Sequence, residues 1–296
     1  MTQTLTQRRR FIFLMLMPAT VLLAGLTIFP FVASVVMSLT NYSLVTPDAI
    51  AFTGLGNYGD LFQSREFWAA MHITGLFTVL AVAIELVLGV GIALLLHHET
   101  RGVPFLRAIY LIPMAVTPVA AVFTFRMMFN PTLGVFNYFL TSLGFAPVDW
   151  LGTPNMALVS LLLVDAWQWT PFILLIAAGG LAAMDDEPLE AARMDGAGPL
   201  DLVLHHMLPM LLPYLSIALL FRAIDAFKTF DIIFVLTGGG PGIATRTLNL
   251  LAYKQGLEFL SMGYAAAIAI VMLILTIIIA QVFLRRTNLF QPKAML

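Results

Sequence analysis

Ionisable residues fall inside long apolar stretches of this sequence, where charge is costly and usually serves a function. They are Glu85, Asp165, Arg222, Asp225, Lys228 and Asp231. The last four recur at steps of three residues, so on a helix opposite charges would lie within reach of one another. Two interpretations stay open. Either the charges neutralise each other along the helix, or they form a polar lining for a hydrophilic solute.

Aromatic and polar side chains alternate directly after Asp165, where Trp167, Gln168 and Trp169 follow within about one helical turn. A sugar presents apolar CH faces and a rim of hydroxyl groups, so a carbohydrate site combines aromatic rings with polar side chains. The segment therefore suits a sugar, although tryptophans in apolar stretches are often simply core residues or lipid contacts.

A polar loop between two apolar segments predicts a short, separately capped helix at about 186–198. Asp186 suits the N-cap position, and Pro188 suits the first turn, where a missing N–H costs nothing. Gly196 or Gly198 can end the helix in a left-handed conformation. Such a helix either connects two spans and does nothing more, or docks another protein.

The same loop resembles the EAA motif of ABC importer permeases. The matching residues are Glu190, Ala191, Ala192, Asp195, Gly196, Leu208 and Pro209, with His206 where that family has isoleucine. Further segments resemble the sugar-permease branch, which is similar to the larger membrane subunit of the maltose transporter. They include 53–58, 110–113, 126–131, 167–172 and 230–241.

This resemblance implies a type I ABC importer permease fold that forms half of a translocation pathway for a sugar or sugar derivative. The EAA helix would fit a groove of a cytosolic ATPase, with Glu190 paired to a basic residue and Gly196 allowing close backbone approach. The implied sugar-contacting positions are Asp165, Gln168, Trp169, Arg222 and Asp225. The implied partners are a second, non-identical six-span subunit, two ATPase subunits that bind ATP and Mg, and a periplasmic or lipid-anchored solute-binding protein.

The composition independently indicates an integral membrane protein. Of 296 residues, 60% are hydrophobic and 10% are charged, against about 25% charged in soluble domains. Helices are expected, because strands cross a membrane only in closed barrels, whose sequences alternate in polarity. About 20 apolar residues cross the bilayer, which predicts one all-α domain over 1–296 with six spans, at about 11–38, 72–96, 105–129, 157–181, 208–236 and 263–284.

The positions of Lys and Arg predict that both termini lie on the cytosolic side of the membrane, which the resemblance implies to be a bacterial inner membrane. The nine basic residues assigned to the inside are Arg8, Arg9, Arg10, Arg101, Arg107, Arg193, Arg285, Arg286 and Lys293. The three assigned to the outside are Arg65, Arg246 and Lys254. This orientation puts the EAA loop in the cytosol. It puts the glycine-rich loop at 238–242 outside, as a turn or as a contact for a periplasmic protein.

Enzymatic activity is not expected of this chain. A P-loop requires a Gly-Lys pair, which the sequence lacks. The five histidines do not have the spacing of metal ligands, and the sequence contains no cysteine. The rival class is half of an ion-gradient-driven secondary transporter, in which Glu85 and Asp165 would serve a proton relay. Arg222 and Lys228 also suit an anionic sugar, so neutral sugars, oligosaccharides, polyols and anionic derivatives all stay open.

Overall fold

The computed structural model describes residues 5–97 and 103–287, with side chains described for 8–97 and 109–285. The described residues contain no β-strand, only an isolated antiparallel bridge between Thr40 and Phe52, and the predicted all-α class is confirmed. The helices are α1 (Leu5–Ser38), α2 (Gly56–Gln63), α3 (Arg65–His97), α4 (Val103–Ala115), α5 (Pro118–Met128), α6 (Val135–Ser142), α7 (Pro154–Ala182), α8 (Glu187–Met194), α9 (Pro199–Asp201), α10 (Leu208–Phe227), α11 (Asp231–Leu236), α12 (Leu248–Tyr253) and α13 (Met262–Thr287).

Four of the basic residues counted for the orientation fall wholly or in their side chains outside the described part of the chain. Arg101 and Lys293 lie outside the described residues, as do the side chains of Arg107 and Arg286.

Five of the described helices are long and apolar enough to cross a membrane. They are Arg8–Ser38, Arg65–His97, Pro154–Ala182, Pro199–Phe227 and Met262–Arg285. The pair α4 and α5 is bent by 105° and supplies the sixth predicted span if it counts as one broken span. Pro118 accounts for the break, because proline lacks an N–H and its ring disfavours a helical conformation in the preceding residue. Thr117 is indeed extended, with φ −61° and ψ 133°.

The span expected at 208–236 has different limits in the structure. A π-helical turn at Leu202–Met207 joins α9 to α10, so one continuous helix runs over Pro199–Phe227. Lys228 caps that helix, and a separate α11 begins at Asp231. Hydropathy does not reveal this break, because the residues that follow it are as apolar as those before it.

The described residues divide into two compact units. The first contains α1, α2 and the chain from Leu251 to Leu273. Within it, the Asn57 side-chain amide donates to the carbonyls of Ser38 and Thr40, both at 2.8 Å, and ties α2 to the end of α1. The second unit runs from Arg65 to Leu250 and resumes in the later part of α13.

Helices α3, α7 and α10 form the core of the second unit, where each packs against the other two. Gly89 on α3 allows the closest approach to α7. A Cβ atom at Gly89 would lie 2.7 Å from Ile173 Cβ and 3.0 Å from the Leu174 amide nitrogen. Small residues at such crossings let helix backbones pack closely in a membrane. The core residues around this crossing are Val90, Ala93, Ile173, Leu174, Ala177, Leu181, Leu189, Met207, Leu211, Leu215 and Ala218.

The Gly89 contact predicts a position-specific loss of stability. Gly89→Ala should destabilise the protein by about 1–3 kcal/mol, because the added methyl group must displace Ile173 in a packed core. Gly91→Ala is the matched control, since a Cβ there meets nothing within 4 Å. Thermal melting of the two variants in the same detergent measures the difference. Equal melting temperatures would refute the close packing of α3 on α7.

Candidate functional site

Arg222 on α10 lies at the centre of a buried charge cluster, with its side chain only 1% exposed. Its Nε donates to Glu85 Oε2 at 2.6 Å and its Nη2 to Glu85 Oε1 at 2.8 Å, which makes a two-pronged pair. Nη2 also donates to Asp165 Oδ2, and Nη1 donates to Asp225 Oδ2 at 2.7 Å. One guanidinium therefore holds carboxylates from α3, α7 and α10.

The ring of Trp169 covers this cluster, with its centroid 4.9 Å from Arg222 Cζ. A cation over an aromatic face is stabilised by the quadrupole of the ring. The carboxylates of Glu85 and Asp165 are fully buried, whereas the Asp225 side chain is 54% exposed. The guanidinium is thus surrounded by three carboxylates and a tryptophan ring, and in this conformation it offers no free edge to an anion.

Three buried oxygen atoms on α7 have no hydrogen-bond partner among the described residues. One is the hydroxyl oxygen of Thr170, and the other two are the acceptors Asp165 Oδ1 and Gln168 Oε1, about one helical turn apart. The Gln168 amide Nε2 does have a partner, because it donates at 3.3 Å to the Val116 carbonyl, which the break between α4 and α5 leaves free. An acceptor buried without a donor is costly, so these two atoms suit the hydroxyl groups of a solute.

The residues expected from the sequence are therefore only partly brought together. Asp165, Trp169, Arg222 and Asp225 meet at the cluster, with Gln168 beside it. The side chain of Lys228 is exposed and does not contact the guanidinium, while its carbonyl accepts from Asn249 Nδ2 at 2.6 Å. Trp167 packs edge-on against Phe125, with ring centroids 5.1 Å apart, in an aromatic cluster of its own.

The contact between Glu85 and Arg222 is the main feature that the sequence reasoning missed. Arg222 and Asp225 pair along α10, as their three-residue spacing allows. The two-pronged pair differs, because its carboxylate, Glu85, lies on α3. One signal was available. An arginine and a glutamate in separate spans each need an opposite charge inside the membrane, and each therefore predicts the other.

The EAA loop forms a second candidate site, built on α8. The helix is shorter than the expected 186–198, because Gly196 ends it with φ +90°. The Ala197 amide donates to the Ala192 carbonyl at 2.9 Å, and the Gly196 amide donates to the Arg193 carbonyl at 3.1 Å. This pair of bonds is the Schellman arrangement that glycine favours. Asp186 occupies the N-cap position, as predicted, although its side chain makes no capping hydrogen bond.

The two faces of α8 differ in burial. Leu189 and Ala192 are buried, and Leu189 belongs to the core shared with α3, α7 and α10. Glu190, Ala191 and Asp195 are exposed. The helix is thus anchored through one face and presents a carboxylate and a small residue on the other. His206, at the isoleucine position of the motif, is partly buried in the π-helical turn before α10.

The glycine-rich loop after α11 is closed by its own hydrogen bonds. The hydroxyl groups of Thr237 and Thr245 are 2.8 Å apart, and Thr245 Oγ1 donates to the Gly240 carbonyl at 2.7 Å. An ion pair between Arg246 and Glu66 joins the end of this loop to the start of α3. These contacts favour the turn interpretation of the loop.

The fold and these sites define a helical membrane protein with a short helix anchored against its spans, and comparison with known proteins gives its family. The chain matches the binding-protein-dependent transport system inner membrane component family over residues 6–288, and it belongs to that family. It is a membrane permease subunit of an ABC importer.

Individual relatives cover nearly the whole chain. The trehalose/maltose transport system permease protein MalF of Thermococcus litoralis is 38% identical, over 92% of this chain and 92% of that protein. The sulfoquinovosyl glycerol transport system permease protein SmoG of Agrobacterium fabrum is 35% identical, over 92% of this chain and 88% of that protein. A crystallised bacterial alginate ABC transporter, in complex with an alginate pentasaccharide-bound periplasmic protein, contains a chain with the same fold. The TM-score is 0.82 at 18% identity, over 96% of this chain and 97% of that one.

The charge cluster predicts strong coupling between Glu85 and Arg222. Arg222→Met should cost about 3–5 kcal/mol of stability, because it leaves buried carboxylates without a counter-charge. Adding Glu85→Gln to that variant should restore part of the loss. Lys228→Met, which removes an exposed charge from the same region, should change stability by less than about 0.5 kcal/mol.

Thermal melting of the purified transporter in detergent measures this double-mutant cycle. If Arg222→Met melts like the unmodified protein, or if the second substitution adds a further independent loss, the cluster does not neutralise itself as described.

Proposed function

We propose that this chain forms half of the translocation pathway of an ATP-driven importer for a sugar or sugar derivative, and that α8 couples it to an ATPase. The observation that carries the proposal is the geometry of α8. This short helix is fixed by the buried Leu189, is ended at Gly196, and leaves the Glu190 carboxylate exposed. A loop that only connects two spans needs no anchored helix with an exposed carboxylate. A helix that docks into a basic groove of another protein needs both features.

The carbohydrate class is supported by the names of the relatives and by the chemistry around α7. The relatives' names mention trehalose, maltose and sulfoquinovosyl glycerol. These different solutes support a carbohydrate class for this chain and not one particular sugar. The unpartnered oxygens of Asp165 and Gln168 lie near the Trp169 ring and suit a solute rich in hydroxyl groups. Because carboxylates surround Arg222, we favour a neutral solute over an anionic one at this position.

The remaining parts of the assembly follow from the family. A second, non-identical six-span subunit would complete the pathway, and two ATPase subunits would bind ATP and Mg. A periplasmic or lipid-anchored solute-binding protein would deliver the sugar. In the bacterial inner membrane both termini and α8 would face the cytosol, as the positions of Lys and Arg favour. Membership of a binding-protein-dependent family argues against an ion-gradient-driven carrier.

Reversing the charge at Glu190 tests the coupling role. Glu190→Lys should reduce ATP-driven uptake to background, because the lysine would repel the basic residue expected in the ATPase groove. Asp185→Lys makes the same charge change at an exposed position of the loop before the helix and should retain uptake.

The assay uses the sugar bound by the companion binding protein, and immunoblots of membrane fractions confirm equal amounts of each variant. Normal uptake by Glu190→Lys would refute the role of α8.

A further inference from the structure

A groove of about 860 Å³ lies between the end of α3, the inner face of α8 and the chain that leads into α10. Its walls are mostly apolar and include Leu94, Leu189, Val203 and Met207. This volume is within the range of about 300–1,000 Å³ typical of ligand sites. All of the groove lies within the second unit of the fold, so its shape does not depend on how the two units are arranged.

Charged groups of both signs lie among the residues that line this groove. Asp186, at the start of α8, and Arg193, in its last turn, both contribute to the lining, together with His97 at the end of α3. Within the described part of the chain, neither Asp186 nor Arg193 forms an ion pair. The lining thus offers one positive and one negative group above an apolar interior.

The groove lies at the end of a membrane-spanning helix. Helix α3 is one of the membrane-spanning helices and its described part ends at His97, while α8 is a polar helix beyond the spans. Leu95 lines the groove and is 77% exposed, so the apolar wall continues onto the outer surface of α3. Gly91 also lines the groove, and a Cβ atom built there meets nothing within 4 Å.

We infer that this groove binds a phospholipid with a zwitterionic, phosphatidylethanolamine-type headgroup. An acyl chain occupies the apolar interior between α3 and the π-helical turn, and the glycerol end faces the polar surface. Arg193 pairs with the lipid phosphate, and Asp186 pairs with the ammonium group. Basic pockets between membrane helices bind the phosphate groups of lipid headgroups, and in this groove a carboxylate lies beside the basic group. The inference rests on the membrane-spanning role of α3 and not on the coupling of α8 to an ATPase.

The charge pattern is what selects this lipid over an anionic one. A phosphatidylglycerol headgroup carries only the negative charge, so it would satisfy Arg193 and place its hydroxyl groups against Asp186. A phosphatidylethanolamine headgroup satisfies both side chains with opposite charges at once. The bound lipid would fill the space beneath α8 and so support the position of that helix against α3.

Filling the groove tests whether a lipid occupies it. The assembled transporter is purified in mild detergent, and native mass spectrometry counts the phospholipids retained. Gly91→Phe should lose a phospholipid that the unmodified transporter retains, because the ring takes up the open space at that position. Gly75→Phe is the matched control on the same helix, since a Cβ there also meets nothing within 4 Å and Gly75 lies outside the groove. Gly91→Leu serves in place of Gly91→Phe if the larger variant fails to assemble.

Headgroup competition on the unmodified transporter tests the charge assignment without any substitution in α3. In equimolar mixtures, phosphatidylethanolamine should be retained several-fold over phosphatidylglycerol. Asp186→Asn should abolish that preference, because it removes the partner of the ammonium group. Arg193→Gln should instead lower the retention of both lipids, because both carry the phosphate.

Retention of equal phospholipid by Gly91→Phe and Gly75→Phe, absence of any retained phospholipid from the unmodified transporter, or preference for phosphatidylglycerol would each overturn the assignment. None of these readouts requires transport, so failure of the proposed coupling and failure of this lipid site are distinguishable.

Discussion

A buried guanidinium is the constraint on which the core of this protein depends. Arg222 cannot remain in an apolar core without opposite charges around it, and its partners come from α3, α7 and α10 itself. Those three helices also pack against one another, with Gly89 permitting the approach of α3 to α7. Packing and charge thus require the same arrangement, because the carboxylates reach Arg222 only if the helices lie this close together.

The helix that carries Arg222 also begins at the end of the protein where α8 lies. A continuous helical segment over Pro199–Phe227 leads from the EAA loop to the charge cluster. Leu189 on α8 packs in the same apolar core as Met207 and Leu211 near the start of that segment. A force applied to α8 would therefore act on the rigid element that holds Arg222. This continuity gives the proposed coupling a physical route from the docking surface to the pathway.

Much of this organisation could be predicted from the sequence, and for identifiable reasons. Long apolar stretches placed the spans, because a helix that crosses a bilayer must be apolar over a fixed length. The EAA loop was found because capping residues and motif spacing are local features, and Gly196 does end α8 as expected. Local signals of this kind do not depend on how distant parts of the chain pack.

The breaks in the helices and the partners of the charges could not be read in the same way. The apolar stretch runs through Thr117, although the helix bends by 105° there, and apolar residues resume in α11 after α10 has ended at Lys228. Pro118 offered a local clue to the first break, whereas the second has no glycine or proline to mark it. The contact of Arg222 with Glu85 joins residues far apart in the chain, and its geometry depends on helix packing that no local pattern encodes.

The most direct test of the proposed function is to identify the energy source for transport. The measurement is sugar uptake into proteoliposomes that contain this chain with its companion subunits, with ATP inside and the binding protein outside. We predict uptake that requires both ATP and the binding protein and continues when ionophores collapse all ion gradients. Uptake that proceeds without ATP and stops when a proton gradient is collapsed would contradict it.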